Sequence, residues 1–202
     1  MSSSSGSVSS SRRRAAIWAA LALFALGGSS GTAQAKVFLS QNAALALAFP
    51  DADEITDEIT ILSASQVERI QSIAKSELES EIVKLYTGWK DGEVLGYAYI
   101  DVHTVRTLPE AFLVVLSPDG SVKSLRVLAF YEPLDYMPSE RWYQQFDGVQ
   151  PGAVLRLGRE IHGITGATLS ARAVTASVRR VQALYQVLVV PERERDRVAT
   201  VD

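Results

Sequence analysis

The chain has 202 residues, 20 basic against 23 acidic side chains, a formal net charge of −3, and no cysteine. Without a thiol, thiolate-ligated clusters, thioether-attached haem and disulfide exchange are excluded, so any redox role rests on a bound organic cofactor. Mild acidity, with no basic stripe interleaved with aromatics, argues against a nucleic-acid partner.

The N-terminus reads as an export signal. Ser2 to Ser11 is polar, Arg12 to Arg14 is a basic cluster, and Ala15 to Gly28 is a 14-residue apolar stretch. That stretch is shorter than the ~20 residues of a membrane span. It leads to Ala33-Gln34-Ala35, the small-x-small ending of a secretory cleavage site. We expect cleavage after Ala35 by the general secretory route, since the residues after Arg12-Arg13 fit a twin-arginine signal poorly. The remaining 167 residues carry a charge of −6, suit one domain and contain no second long apolar run. The expected location is the periplasm, with no transmembrane segment in the mature chain.

Ser40 is placed to cap a short helix through Ala48, closed by Pro50. Asp51 to Glu58 reads as an acidic connector, a solvated loop or an edge segment. Ser65 to Glu68 has capping-box spacing, and Val67, Ile70, Ala74 and Leu78 then share a helical face, predicting a second helix to about Glu79. Residues 36–80 thus form an N-terminal helical segment. From Glu81 the pattern turns to strands, at Ile82–Tyr86, Val94–Val102, Ala111–Leu116 and Val122–Phe130. Lys90-Asp91-Gly92 and Ser117-Pro118-Asp119-Gly120 are turn sequences, and the second predicts a β-hairpin. Glu132 to Gly152 is irregular and rich in aromatics, a loop expected to pack and to lie over a site. Val154–Leu157 reads as one further strand. Leu169 to Val190 is predicted helical, with Val174, Val178, Val181, Tyr185 and Leu188 along one stripe. A charged tail, residues 191–202, follows.

Residues 162–170, His-Gly-Ile-Thr-Gly-Ala-Thr-Leu-Ser, form the one stretch that displays chemistry. From Thr165 through Gly166, Ala167, Thr168 and Leu169 to Ser170 they make a turn into a helix, where backbone N–H groups and the helix dipole favour an anion. Gly163 and Gly166 permit close approach or positive φ. The Thr168 hydroxyl can cap the helix, accept a hydrogen bond or be esterified. Read as isolated letters, Thr165 or Thr168 is simply an N-cap.

The longer context resembles the FMN-binding domain family, found in flavin-carrying subunits of the sodium-pumping NADH:quinone oxidoreductase and the Rnf complex, and in nitrous-oxide reductase regulatory proteins. The hallmark is Thr165-Gly166-Ala167-Thr168. Asp119-Gly120-Ser121-Val122, the Glu132-Pro133 step, and Trp142 with Gln145-Phe146 extend the resemblance over roughly residues 80 to 190. It implies a flavin transferase that moves FMN from FAD onto Thr168 through a phosphoester. The family usually has an aspartate six residues before that threonine. This chain has His162, which leaves slower attachment or non-covalent FMN open.

Other residues carry paired readings. His162 meets the cofactor or is merely exposed; His103 is more plausibly structural. Glu132 lines the pocket or is a solvated carboxylate. Trp142 and Phe146 wall the flavin ring or anchor the core. Arg159-Glu160, Arg172, Arg179 and Arg180 read as a solvated face, Arg172 being best placed to meet an anion. The expected fold is α+β, a curved, mostly antiparallel sheet with helices on one side and a long C-terminal helix after the attachment turn. With the FMN-binding domain at 81–190, the expected function is a periplasmic electron carrier, with periplasmic or membrane-bound redox proteins as partners. A stand-alone enzyme is less expected, since no Gly-x-Gly-x-x-Gly fingerprint appears. The rival reading is a non-redox or non-covalently FMN-binding accessory module.

Overall fold

The computed structural model describes residues 36–105 and 108–193. The expected signal, residues 1–35, and tail residues 194–202 lie outside the described residues. Six strands, β1 (Lys36–Val37), β2 (Glu54–Ile61), β3 (Ile82–Lys90), β4 (Glu93–Val105), β5 (Leu108–Leu116) and β6 (Val122–Phe130), form one sheet. Its order is β1-β6-β5-β4-β3-β2 and every pairing is antiparallel. The helices are α1 (Gln41–Ala48), α2 (Ala64–Ala74), α3 (Glu140–Tyr143) and α4 (Thr168–Leu184), with α4 running on through a π-helical turn, Tyr185–Val189. The α+β architecture expected from sequence is present.

Local chemistry explains most boundaries. Ser40 caps α1, accepting the Ala43 N–H. Asp91 and Gly92, at φ 51° and 80°, close the β3–β4 hairpin with the left-handed pair that a two-residue turn needs. In the β5–β6 turn, Asp119 accepts from both the N–H and the hydroxyl of Ser121. The capping box of α2 sits two residues earlier than its spacing suggested. Ser63 and Gln66 cap each other reciprocally, because Gln66 stands at the third helical position. The helix then stops at Ala74 rather than near Glu79, where Lys75 turns left-handed at φ 53°.

Of the acidic connector's two readings the structure takes the edge one: Glu54–Ile61 pairs along its length with β3 and is almost wholly exposed. Such a strand needs no buried face and carries charge, which blunts edge-to-edge association. Val154–Leu157 forms no strand; an isolated bridge, Leu157 to Ile161, is all the ladder there. The helices also do not share one side. Phe112, Val114 and Leu116 pack with Val174, Val178, Val181 and Tyr185 on the α4 face. Leu113, Val115 and Leu128 pack with Ala44, Leu45, Ala48 and Phe49 of the α1 segment on the other. The reason lies in β5, whose run Phe112–Leu116 is apolar at every position and must be covered on both faces. α2 lies beside α4, with Ile70 and Ala74 meeting Ala183 and Leu184.

Two ties hold the C-terminal end of α4 in place. Tyr185 donates its hydroxyl to the Pro118 carbonyl at 2.9 Å, and Gln182 Nε2 donates to the Val149 carbonyl at 2.8 Å. The aromatic loop after β6 folds into α3 flanked by short 3₁₀ turns, with Tyr143 and Phe146 buried in the α4-side core. Among the described residues no helix is long and apolar enough to cross a membrane.

Candidate functional site

The start of α4 opens on a cleft of about 140 Å³ lined by Val105, Glu132, Tyr136, Gly166, Ala167, Thr168, Leu169 and Ser170. Six of the sequence-selected residues therefore meet at one place: Glu132, Gly166, Ala167, Thr168, Leu169 and Ser170. Gly166 sits at φ +85°, which admits the turn before the helix. A Cβ added there would meet nothing within 4 Å, so the outer side of the turn is open.

Neither threonine is the cap. The N-cap is Ala167, with no side-chain cap hydrogen bond, and Thr168 is the first helical residue. The N–H groups of a helix's first turn have no partner within the helix, and the Ala167 cap side chain supplies none. Thr168 is exposed, and its hydroxyl makes a single long contact, 3.5 Å to the Ile164 carbonyl. An uncapped, positive helix end beside an exposed hydroxyl suits a phosphate group. The walls of Val105, Tyr136 and Leu169 suit the flat apolar part of a cofactor.

The other selected residues sit behind the turn. His162 and Thr165 are exposed and do not line the cleft. It is the backbone of His162 that is held: its N–H donates to Gln145 Oε1 at 2.7 Å, and its carbonyl accepts from Trp142 Nε1 at 2.8 Å. Trp142, edge-on to Phe146 at 5.4 Å, thus ties the turn to the core, and Phe146 itself is fully buried. Arg172 is exposed, one turn beyond Thr168 on the same helix face.

The basic residues of α4 are not all a solvated face. Arg180 is 6% exposed and makes a two-pronged ion pair with buried Asp101, at 3.1 and 2.6 Å. Arg179 donates to the Leu155 carbonyl at 3.0 Å, and burial, followed by the nearby Arg180 charge, lowers its pKa. Glu160 pairs with Arg156 rather than with its neighbour Arg159. His103 is buried, with Nδ1 2.7 Å from Asp101 Oδ2. Sequence reading missed Val105 and Tyr136 at the cleft and Asp101 and Glu110 in the interior. The available signal was a set of charged residues at inward positions of otherwise apolar strands.

Residues 109–183 match the family model of the FMN-binding domain. That segment runs from β5 into the last turn of α4 and contains every cleft residue but Val105. Over 140 residues the chain is also 31% identical to a component of the Na(+)-translocating ferredoxin:NAD(+) oxidoreductase complex of Acetobacterium woodii. That match covers 61% of this chain and 65% of the relative, so the chain spans a little under two thirds of the relative's length.

Proposed function

We propose that this protein is an exported electron carrier whose FMN is joined by a phosphoester to Thr168 Oγ1. The observation that carries the reading is the exposed Thr168 hydroxyl at an uncapped helix start, opening on the apolar cleft of an FMN-binding domain. In the attachment step a flavin transferase would join Thr168 Oγ1 to the FMN phosphorus of FAD, breaking the pyrophosphate and releasing AMP. The first-turn N–H groups of α4 and the Arg172 guanidinium would hold the diester's remaining negative charge. Thr165, Gly166 and Ala167 keep the approach open, and Trp142 and Gln145 fix the segment that carries His162.

Bound FMN supplies one- and two-electron chemistry, while the protein supplies position and electrostatics. Val105, Tyr136 and Leu169 would exclude water from one side of the ring, and Glu132 places a carboxylate at the cleft wall. A cleft of about 140 Å³ is well below the ~300 Å³ at which enclosing small-molecule sites begin. It would leave part of the cofactor at the surface, which suits electron exchange with another protein better than conversion of an enclosed substrate. The relative's name, as part of a ferredoxin:NAD(+) oxidoreductase complex, supports membrane-bound redox partners.

Co-expression with a flavin transferase tests the reading. The exported protein is expected to have the mass of residues 36–202 plus one FMN less one water, and to give a fluorescent band that survives denaturing electrophoresis. Thr168→Ala should lose the adduct completely. A colourless wild type with the bare amino-acid mass would overturn the carrier. A yellow Thr168→Ala that loses its colour on denaturation would replace the covalent link by non-covalent FMN, the reading that His162 in place of aspartate favours.

A further inference from the structure

Behind the cleft wall lies a polar cluster that cofactor attachment does not use. Asp101 and His103 on β4 and Glu110 on β5 point to the α4 side of the sheet and are 4%, 5% and 0% exposed. His103 and Glu110 stand opposite each other in the ladder. Asp101 is fully served, by Arg180 and by His103. Burial opposes its ionisation, but the hydrogen bonds from His103 and Arg180 outweigh that and hold the carboxyl well below the usual range. An ionised Asp101 only accepts, so His103 Nδ1 donates to it, and Nε2 is the ring atom that faces Glu110.

Glu110 has no such provision. Both its carboxyl oxygens are buried with no hydrogen-bond partner among the described residues, and so are His103 Nε2 and Tyr143 Oη. Glu110 Oε2 and His103 Nε2 face each other at 4.0 Å. An ionised carboxylate in such surroundings is costly, and the Arg180–Asp101 pair leaves no positive charge over to offset it. Burial, with the negative Glu132 adding to it, pushes the Glu110 carboxyl up to about 7. Glu132 is also the link outward: it lines the cleft and accepts the Leu108 N–H at 3.3 Å.

We propose that Glu110, with His103 Nε2 beside it, is a redox-linked proton site, taking one proton from solvent when electrons enter the cofactor at the neighbouring cleft and releasing it when they leave. The inference rests on the reading of that cleft as the flavin site. Two electrons from a redox partner protein add two negative charges. One proton on the flavin ring and one on the Glu110 carboxyl offset them, and both return to solvent on reoxidation. Among the described residues the groups facing Glu110 are His103 and Asp101 from β4, Glu132 beyond β6 and Tyr143 from α3, with Arg180 of α4 behind Asp101. Negative charge added at the cleft raises the cost of an ionised Glu110, and protonating its carboxyl relieves that.

The test is a potentiometric titration of the FMN-loaded protein from about pH 6 to about pH 9, with flavin content first established by absorbance and intact mass. Above neutrality the wild-type potential should fall with pH more steeply than that of Glu110→Gln, by the slope of one extra proton per two electrons. Glu110→Gln should keep its flavin and show the shallower slope there. A wild type that takes no flavin overturns the cleft reading and this inference with it. A flavin-loaded wild type with the same slope as Glu110→Gln overturns this inference alone. Should Glu110→Gln fail to fold, infrared difference spectra of wild type carrying ¹³C-labelled glutamate decide. Gain of a labelled protonated-carboxyl band on reduction is the expected result, and its absence overturns the proposal.

Discussion

Glu110 makes a prediction of its own at the residue scale, independent of any cofactor. Its folded pKa of about 7 lies above the ordinary 4.5, so between those values the folded chain holds a proton that the unfolded chain has lost. The stabilisation is complete below the unfolded value and disappears as pH rises through 7. The difference amounts to about 3 kcal/mol over that window. Urea unfolding of Glu110→Gln should match wild type near pH 5 and show greater stability at pH 8, since the amide has no charge to bury. Equal pH profiles for the two proteins would remove the raised carboxyl from the account. Asp101 carries the opposite sign: its contribution stands above the usual aspartate range and fades only as pH falls below it.

At the scale of elements, α4 joins the two halves of the story. Its first turn forms the cleft, its middle carries Arg180 to Asp101, and its end is tied to the β5–β6 turn through Tyr185. Gly120 is the tight point of that tie. It sits at φ +84°, and a Cβ there would stand 2.3 Å from Tyr185 Cε1 and 2.8 Å from Pro151 Cγ. Gly120→Ala should therefore cost about 2 kcal/mol or more, measured by chemical denaturation. Elements with strong local signals were legible beforehand. The β5–β6 hairpin, the Ser40 cap and the α4 stripe each depend on residues within a few positions of one another. The strand β2 was legible only as one of two readings, because Asp57 interrupts the alternation of Ile55, Ile59 and Ile61 and none of them is buried. The end of α2 was not legible, since Leu78 continues the apolar spacing while packing from outside the helix.

For the whole molecule the organising fact is one sheet with a core on each face, both sharing β5. Leu113 and Phe112 are adjacent and fully buried, yet they belong to different cores. Leu113→Ala should cost about 2–5 kcal/mol and Phe112→Ala about 3–5 kcal/mol. Each should shift a single cooperative unfolding transition rather than split it. Two separate transitions in either variant would show that the faces fold independently.

From its residues alone the chain declared an antiparallel α+β domain, a hairpin, a long helix, and a glycine-bearing threonine turn suited to phosphate at that helix's start. All of these follow from neighbours in sequence. The cleft needed Val105 and Glu132 brought to Thr168, and the buried cluster needed Arg180 brought to Asp101 across 79 positions. Strand alternation tells which side chains share a face, but not which face a distant helix will cover. A charged residue becomes a buried, titrating group only once that cover is in place.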